Sequence, residues 1–179
     1  MKLNKRLSCL THCLLLGAFY SAGACALESD GDQPIVIDSN TATYDDLKAT
    51  STYTGNVISI QGSIKVNSDK LVVYFVDGAA DKLVFTGNRA KFKQTPNEGD
   101  QDITGEALTG EYYPKKNLLI LIDQATVWQG NGAYSSDIIE YDLKTSLVKA
   151  GEKESASKRV HVVLQPKAKE PPSVKSGSQ

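Results

Sequence analysis

A chain of 179 residues with 20 Lys and Arg against 21 Asp and Glu carries a formal net charge of −1, too balanced for a surface built to steer nucleic acid. At 40% hydrophobic and 23% charged it has the composition of a globular domain, and its length fits one domain or two small ones. Three Cys and two His leave little material for thiol or metal chemistry.

Lys2, Lys5 and Arg6 precede a largely apolar run over 7–20, centred on Leu14-Leu15-Leu16, and Ala24-Cys25-Ala26 has the small-x-small form of a cleavage site. This order predicts a secretory signal over residues 1–26, cut after Ala26, rather than a membrane span. The rival is a lipidation motif ending at Cys25, but Ala22 stands where that motif needs a branched apolar residue. Cleavage would remove Cys9, Cys13 and Cys25 and leave His161 as the last His. An exported chain of that kind has no disulfides, and it lacks the residues for a Cys/His metal site or the usual nucleophile–base pair.

Residues 27–32 read as a flexible mature N-terminus. Asp30-Gly31-Asp32 is similar to the start of a calcium loop, but Thr41 occupies the place of the closing Glu. From residue 35 onward, runs rich in Val, Ile, Leu, Thr and Tyr alternate with Gly, Asn and Asp, the pattern of short strands and tight turns. Strands are expected at 35–44, 50–61, 63–75, 82–94, 102–113, 118–129, 133–142, 146–150 and 160–164. Turns are expected at 61–62, 77–78, 96–100, 114–117 and 130–132, with room for one helical turn at 45–49. The fold class is therefore all-β.

A faint internal repeat runs through this region. Gln61-Gly62 and Ser68-Asp69 return as Gln129-Gly130 and Ser136-Asp137, and Thr54-Gly55-Asn56 returns as Thr86-Gly87-Asn88. The tripeptide suits a strand with a Gly kink or bulge, and the pattern suits a stack of similar antiparallel hairpins.

Alternation assigns faces. Val84, Ala90 and Phe92 share one; Leu108 and Tyr112 share one; Leu119, Leu121, Ala125 and Val127 share one. Ile64 and Val66 differ in parity from Leu71, Val73 and Phe75, which a bulge near Asp69 would reconcile. Over 50–61 both parities are apolar, so no inner face is assigned there. Residues 167–179, with Pro171-Pro172 and several Lys and Ser, read as a disordered tail.

Little of this can carry catalysis. His161 lies in a strand-like run as an ordinary exposed or paired His, Asp45-Asp46 reads as a solvated turn, and Trp128 as a core or edge aromatic. Lys153, Lys158 and Arg159 are diluted by Glu152 and Glu154, which favours a solvated turn over a phosphate site. What remains is binding by shape: a sheet folded on itself, with an apolar inner face suited to an acyl chain. The alternative is a secreted glycan-binding or glycan-processing module on a similar β scaffold.

The stretch from Tyr53-Thr54-Gly55-Asn56 through Gln61-Gly62 and Ser68-Asp69-Lys70 to Val73 resembles the OstA-like domain of the LptA family, periplasmic lipopolysaccharide-transport proteins. Shorter matches at Gln33-Pro34-Ile35-Val36-Ile37-Asp38-Ser39, Ala90-Lys91-Phe92-Lys93-Gln94, Lys158-Arg159-Val160 and Val163-Leu164 extend the resemblance over about 33–166. It departs at 96–100 and at Pro114. The resemblance implies an open antiparallel β-jellyroll, a folded taco, spanning 33–166, with the acyl chains of lipid A in an apolar inner groove and sugars and phosphates outward. It implies a non-enzymatic bridge without cofactor or metal, stacked head to tail with itself, with LptC at the inner-membrane end and with the LptD N-terminal domain at the outer-membrane end. For that groove the candidates are Ile35, Ile37, Ile64, Val66, Phe92, Leu108, Tyr112, Leu119 and Leu121. For the stacking edges they are Ile35, Val36 and Ile37 at one end and Val160, Val162, Val163 and Leu164 at the other.

Overall fold

The computed structural model describes residues 30–97, 99–151 and 159–166. The expected signal (1–26), the tail (167–179), residues 27–29 and the Lys/Glu-rich 152–158 lie outside the described residues. Ten strands follow in order: β1 (Val36–Asp38), β2 (Thr41–Asp45), β3 (Thr50–Gln61), β4 (Ile64–Val76), β5 (Ala79–Gln94), β6 (Ile103–Tyr113), β7 (Leu118–Gln129), β8 (Gly132–Asp142), β9 (Leu147–Ala150) and β10 (His161–Leu164). They form one antiparallel sheet in the order β1-β3-β4-β5-β6-β7-β8-β10, with β2 also beside β3 and β9 also beside β8. Sequence neighbours from β2 to β9 pair through short connections, of two residues at β3–β4, β4–β5 and β7–β8. Val76 pairs with Ala79 across Asp77-Gly78, both at positive φ, the backbone that suits a tight hairpin.

A line of irregularities crosses the sheet. Register shifts fall between Thr54 and Val57, Asn67 and Lys70, Thr86 and Ala90, Glu106 and Thr109, and Ile122 and Ala125, each beside the next. Gly55, Asn56, Arg89, Asp123 and Gln124 hold positive φ along it. Bulges bend strands and strengthen their twist, so a row of them makes a crease. The Asp69 carboxylate accepts the Asn88 amide N–H at 3.0 Å across this line. The internal repeat now has a physical meaning. Both Thr-Gly-Asn tripeptides and both Ser-Asp pairs sit at the crease, while both Gln-Gly pairs open hairpin turns.

The crease divides every long strand into halves belonging to two leaves, whose inner side chains pack face to face. Phe92 from one leaf meets Tyr141 from the other edge-on, with ring centroids 5.8 Å apart. The core they share includes Val57, Leu71, Val73, Leu83, Phe85, Ala107, Val127, Ile139 and Tyr141. Each buried Val, Leu, Ile or Phe among them contributes roughly 1.5–3 kcal/mol by leaving water, so this shared core holds the leaves together.

The crease also explains where alternation misleads. An extra residue flips parity, so Leu83 and Phe85 point inward and Val84, expected to share a face with Ala90 and Phe92, is only half-buried outside the core. Likewise Ala107 takes the inward position and Leu108 does not join the core. The bulge expected near Asp69 is present, and Leu119, Leu121, Ala125 and Val127 do share the inner face. In β3 the inner face carries Ser51, Tyr53, Val57, Ser59 and Gln61. The expected strand 35–44 is broken into β1 and β2, because the crease passes between the parts of β3 that they pair with. Residues 46–49 form a hydrogen-bonded turn rather than a helix.

Candidate functional site

The candidate site is the interior between the leaves. Of its expected lining, Ile64, Val66, Phe92, Tyr112, Leu119 and Leu121 are buried core residues, and Ile35 and Ile37 are half-buried against them. Leu108 does not join them, for the reason given above. Leu71, Leu83 and Phe85, absent from the expected lining, stand beside Ile35, Ile64, Val66 and Tyr112 around an internal cavity of only about 10 Å³. At this cavity the leaves are close to van der Waals contact, with about the space of one water between the side chains. Gly105 shows how close the packing is: a Cβ there would lie 2.8 Å from Leu121 Cδ1 on the other leaf.

Opposite the crease, the strand ends form two lips, and the mouth between them is closed by side chains. Three glutamines end alternate strands on one lip: Gln61 on β3, Gln94 on β5 and Gln129 on β7. The Gln61 amide donates to the carbonyls of Gly31 (3.0 Å) and Gln33 (2.9 Å). Gln94 donates to Asp30 (2.9 Å) and to the Leu143 carbonyl on the other lip (3.4 Å), and accepts the Tyr141 hydroxyl at 2.7 Å. Gln129 donates to the Ser146 carbonyl at 2.9 Å.

At the β3–β4 end, the N-terminal segment lies between Gln61 and Ser63 on one lip and Pro114 on the other. Asp30–Asp32 forms a 3-10 turn whose first carboxylate accepts Ser63 N–H (2.6 Å) and Ser63 O–H (2.8 Å) as well as Gln94. Gly62, at φ 56°, allows this approach: a Cβ there would lie 2.3 Å from Asp30 Oδ1. Residues 30–32, expected to be a flexible linker, are thus docked, because Asp30 is the acceptor that the two lip donors require. The sequence signal was present but weak: a Gln closes three strand-like runs just before turn residues.

Among the described residues three buried polar side-chain atoms have no protein partner: Ser68 Oγ at the crease, and Gln61 Oε1 and the Tyr112 hydroxyl at the mouth, whose residues line the same small cavity. Such an orphan costs about 1–3 kcal/mol. Burial, helped by the nearby Asp30 charge, pushes the Tyr112 hydroxyl pKa well up, and burial does the same for Tyr141. On the outside, Tyr113 donates to Glu111 at 2.6 Å, and this bond pushes its pKa up to about 12.

β1 and β10 end the hydrogen-bonded order, as the expected stacking edges require. Val36 is exposed on β1, and Val162, Val163 and Leu164 are exposed on β10 beside Val160. His161 is exposed on β10 and lines an open cleft of about 350 Å³ with Arg89, Asp137 and Arg159. Among the described residues no group of three His, Cys, Asp or Glu is placed to hold a metal, and no helix is long and apolar enough to cross a membrane.

Comparison with known proteins places this architecture. The family described as LptA/(LptD N-terminal domain) LPS transport protein matches residues 36–147. The lipopolysaccharide export system protein LptH of Pseudomonas aeruginosa is 33% identical over 87% of this chain and 92% of its own length. The lipopolysaccharide export system protein LptA of Escherichia coli K12 is 35% identical over 82% of this chain and 78% of its own. The crystal structure of LptH, described as the LptA homologous periplasmic component of a conserved lipopolysaccharide transport device, superposes with a TM-score of 0.72 at 28% identity, covering 78% of this chain and all of that one.

Proposed function

The chain belongs to the LptA/LptD N-terminal domain family of lipopolysaccharide transport proteins, and on that premise we propose that it carries lipopolysaccharide across the periplasm without catalysis. The interior takes the acyl chains of lipid A while sugars and phosphates stay in water. The observation that carries this reading is the continuous apolar facing of the two leaves, from Ile37 beside β3 to Leu121 and Val127 on β7. Each methylene moved into such a space contributes roughly 0.8 kcal/mol, so several acyl chains supply ample affinity once the leaves part.

The signal directs export and is then removed by cleavage after Ala26. Copies then stack head to tail by adding the β1 edge of one to the β10 edge of the next. Such a junction is heterologous, so it runs on as a filament instead of closing. The same two edges receive LptC at one end of the bridge and the LptD N-terminal domain at the other. The bare ladder groups of β1 and β10 and their exposed valines support this assignment.

Native mass spectrometry of protein purified from the periplasm tests the reading. The expected result is a chain starting at Leu27, carrying lipopolysaccharide, in a ladder of oligomers that deletion from Val160 onward removes. A bare monomer that takes up no lipopolysaccharide on titration would overturn it.

A further inference from the structure

If the interior holds acyl chains, as proposed above, a packed fold must have a way to admit them. Its borders differ in what opening would require. At the crease the backbone is continuous through every long strand. At the β1 and β10 edges the ladder ends, but the leaves remain packed behind it. The mouth is held by side chains alone. Gln61, Gln94 and Gln129 stand on alternate strands, so they are spaced roughly 10 Å apart along it. Their bonds across it run to the Gly31, Gln33, Leu143 and Ser146 carbonyls, with Gln94 also donating to the Asp30 carboxylate and accepting the Tyr141 hydroxyl. Water, or the hydroxyls and phosphates of a lipid head group, can replace such bonds one for one.

A second observation points the same way. Gln61 Oε1 and the Tyr112 hydroxyl are buried without partners just inside the mouth. Buried polar groups are nearly always paired, so both atoms call for a partner that no side chain of the closed fold supplies, a water or an incoming polar group. Opening supplies them, because both atoms then meet water or a head group.

We propose that the mouth is a lateral entry, and that an acylated amphiphile loads sideways through the seam of Gln61, Gln94 and Gln129. Sideways loading keeps the polar head in water throughout, while the chains slide between leaves that hinge on the crease. Asp30 is the latch at the β3–β4 end. The end-to-end path along stacked copies then serves transfer between subunits, and the mouth serves first loading.

The test links the lips after folding. In the secreted protein, Gln129→Cys and Ser146→Cys are introduced together and joined with a short bis-maleimide, with each single variant treated alike as a control. Uptake of fluorescent lipopolysaccharide is followed in time, with circular dichroism as the folding check. Loading at least tenfold slower in the linked protein, together with faster loading by Gln129→Ala, is the expected result. A linked protein that loads at the unlinked rate, or a Gln129→Ala variant no faster than wild type, overturns the lateral entry while leaving the acyl-binding interior in place. If the unlinked and wild-type proteins take up no lipopolysaccharide, the interior reading itself falls, and the entry with it.

Discussion

The crease and the mouth are the two long borders of one interior, and they are held by different chemistry. The crease is built from backbone: register shifts in line and residues at positive φ, with the Asp69 carboxylate on the Asn88 amide as a local tie. The mouth is built from side chains: three glutamines and one aspartate reaching across to carbonyls and to Ser63. A border made by the chain itself sets the shape of the fold and survives the loss of any one side chain's contacts. A border made by a few amide hydrogen bonds, each worth about 0.5–1.5 kcal/mol net, closes the fold without committing it to stay closed.

The largest expected effect lies in the core that both borders enclose. Phe92→Ala removes a buried ring that bridges the leaves against Tyr141, and should cost about 3–5 kcal/mol in urea unfolding followed by circular dichroism. A loss below about 1 kcal/mol, well under the ordinary range for such truncations, would mean the leaves are not packed on each other there.

Asp30→Ala comes next. It takes the acceptor from Ser63 N–H and from one bond of Gln94, so a loss of about 1–3 kcal/mol is expected. Unlike Phe92→Ala, it should also raise the binding of a hydrophobic dye to the folded protein, because the mouth loosens before the fold does. Unchanged dye binding would place Asp30 outside the closure.

At the crease, Gly55→Ala puts a side chain at φ 83°, where a left-handed backbone costs an L-residue roughly 1–2 kcal/mol. Here the denaturation midpoint should fall with no gain in dye binding, the opposite signature to the mouth. If Gly55→Ala increases dye binding as much as Asp30→Ala, the contrast between the borders is not real.

The smallest effect is in pH. Tyr112, Tyr113 and Tyr141 hold their protons in the folded state beyond the usual tyrosine value of 10.0, Tyr113 to about 12. The unfolded chain would release those protons first. The stability these residues contribute is therefore whole below pH 10 and declines as pH rises through about 12. Tyrosinate absorbance of these residues should appear together with unfolding. Ionisation of all the tyrosines near 10 in the folded protein would contradict the burial of Tyr112 and Tyr141 at the lips.

Much of the sheet was legible from residues alone. The segments 50–61 and 118–129 coincide with β3 and β7, because β-rich runs end there at Gln-Gly turns. Faces were legible where the crease preserves parity, as at Leu119, Leu121, Ala125 and Val127, and misleading where it adds a residue, as between Val84 and Ala90 or Leu108 and Tyr112. Alternation reads one strand at a time, whereas the position of a bulge is settled by the neighbouring strands it must match. The mouth was illegible for a related reason. A Gln before a turn looks like any solvated polar residue until the fold brings it against a carbonyl such as that of Leu143, 49 positions away. Asp30 looked like linker because its partners, Ser63 and Gln94, are distant in sequence.

The central claim, that acyl chains occupy the space between the leaves, is tested most directly by two neighbouring residues of β1. Ile37 is half-buried against the core and Val36 faces outward, 56% exposed. A photo-crosslinking amino acid placed at each position in turn, in cells making lipopolysaccharide, should give an adduct with lipopolysaccharide at position 37 and little at position 36. Equal adducts at both positions, or an adduct at 36 alone, would contradict it.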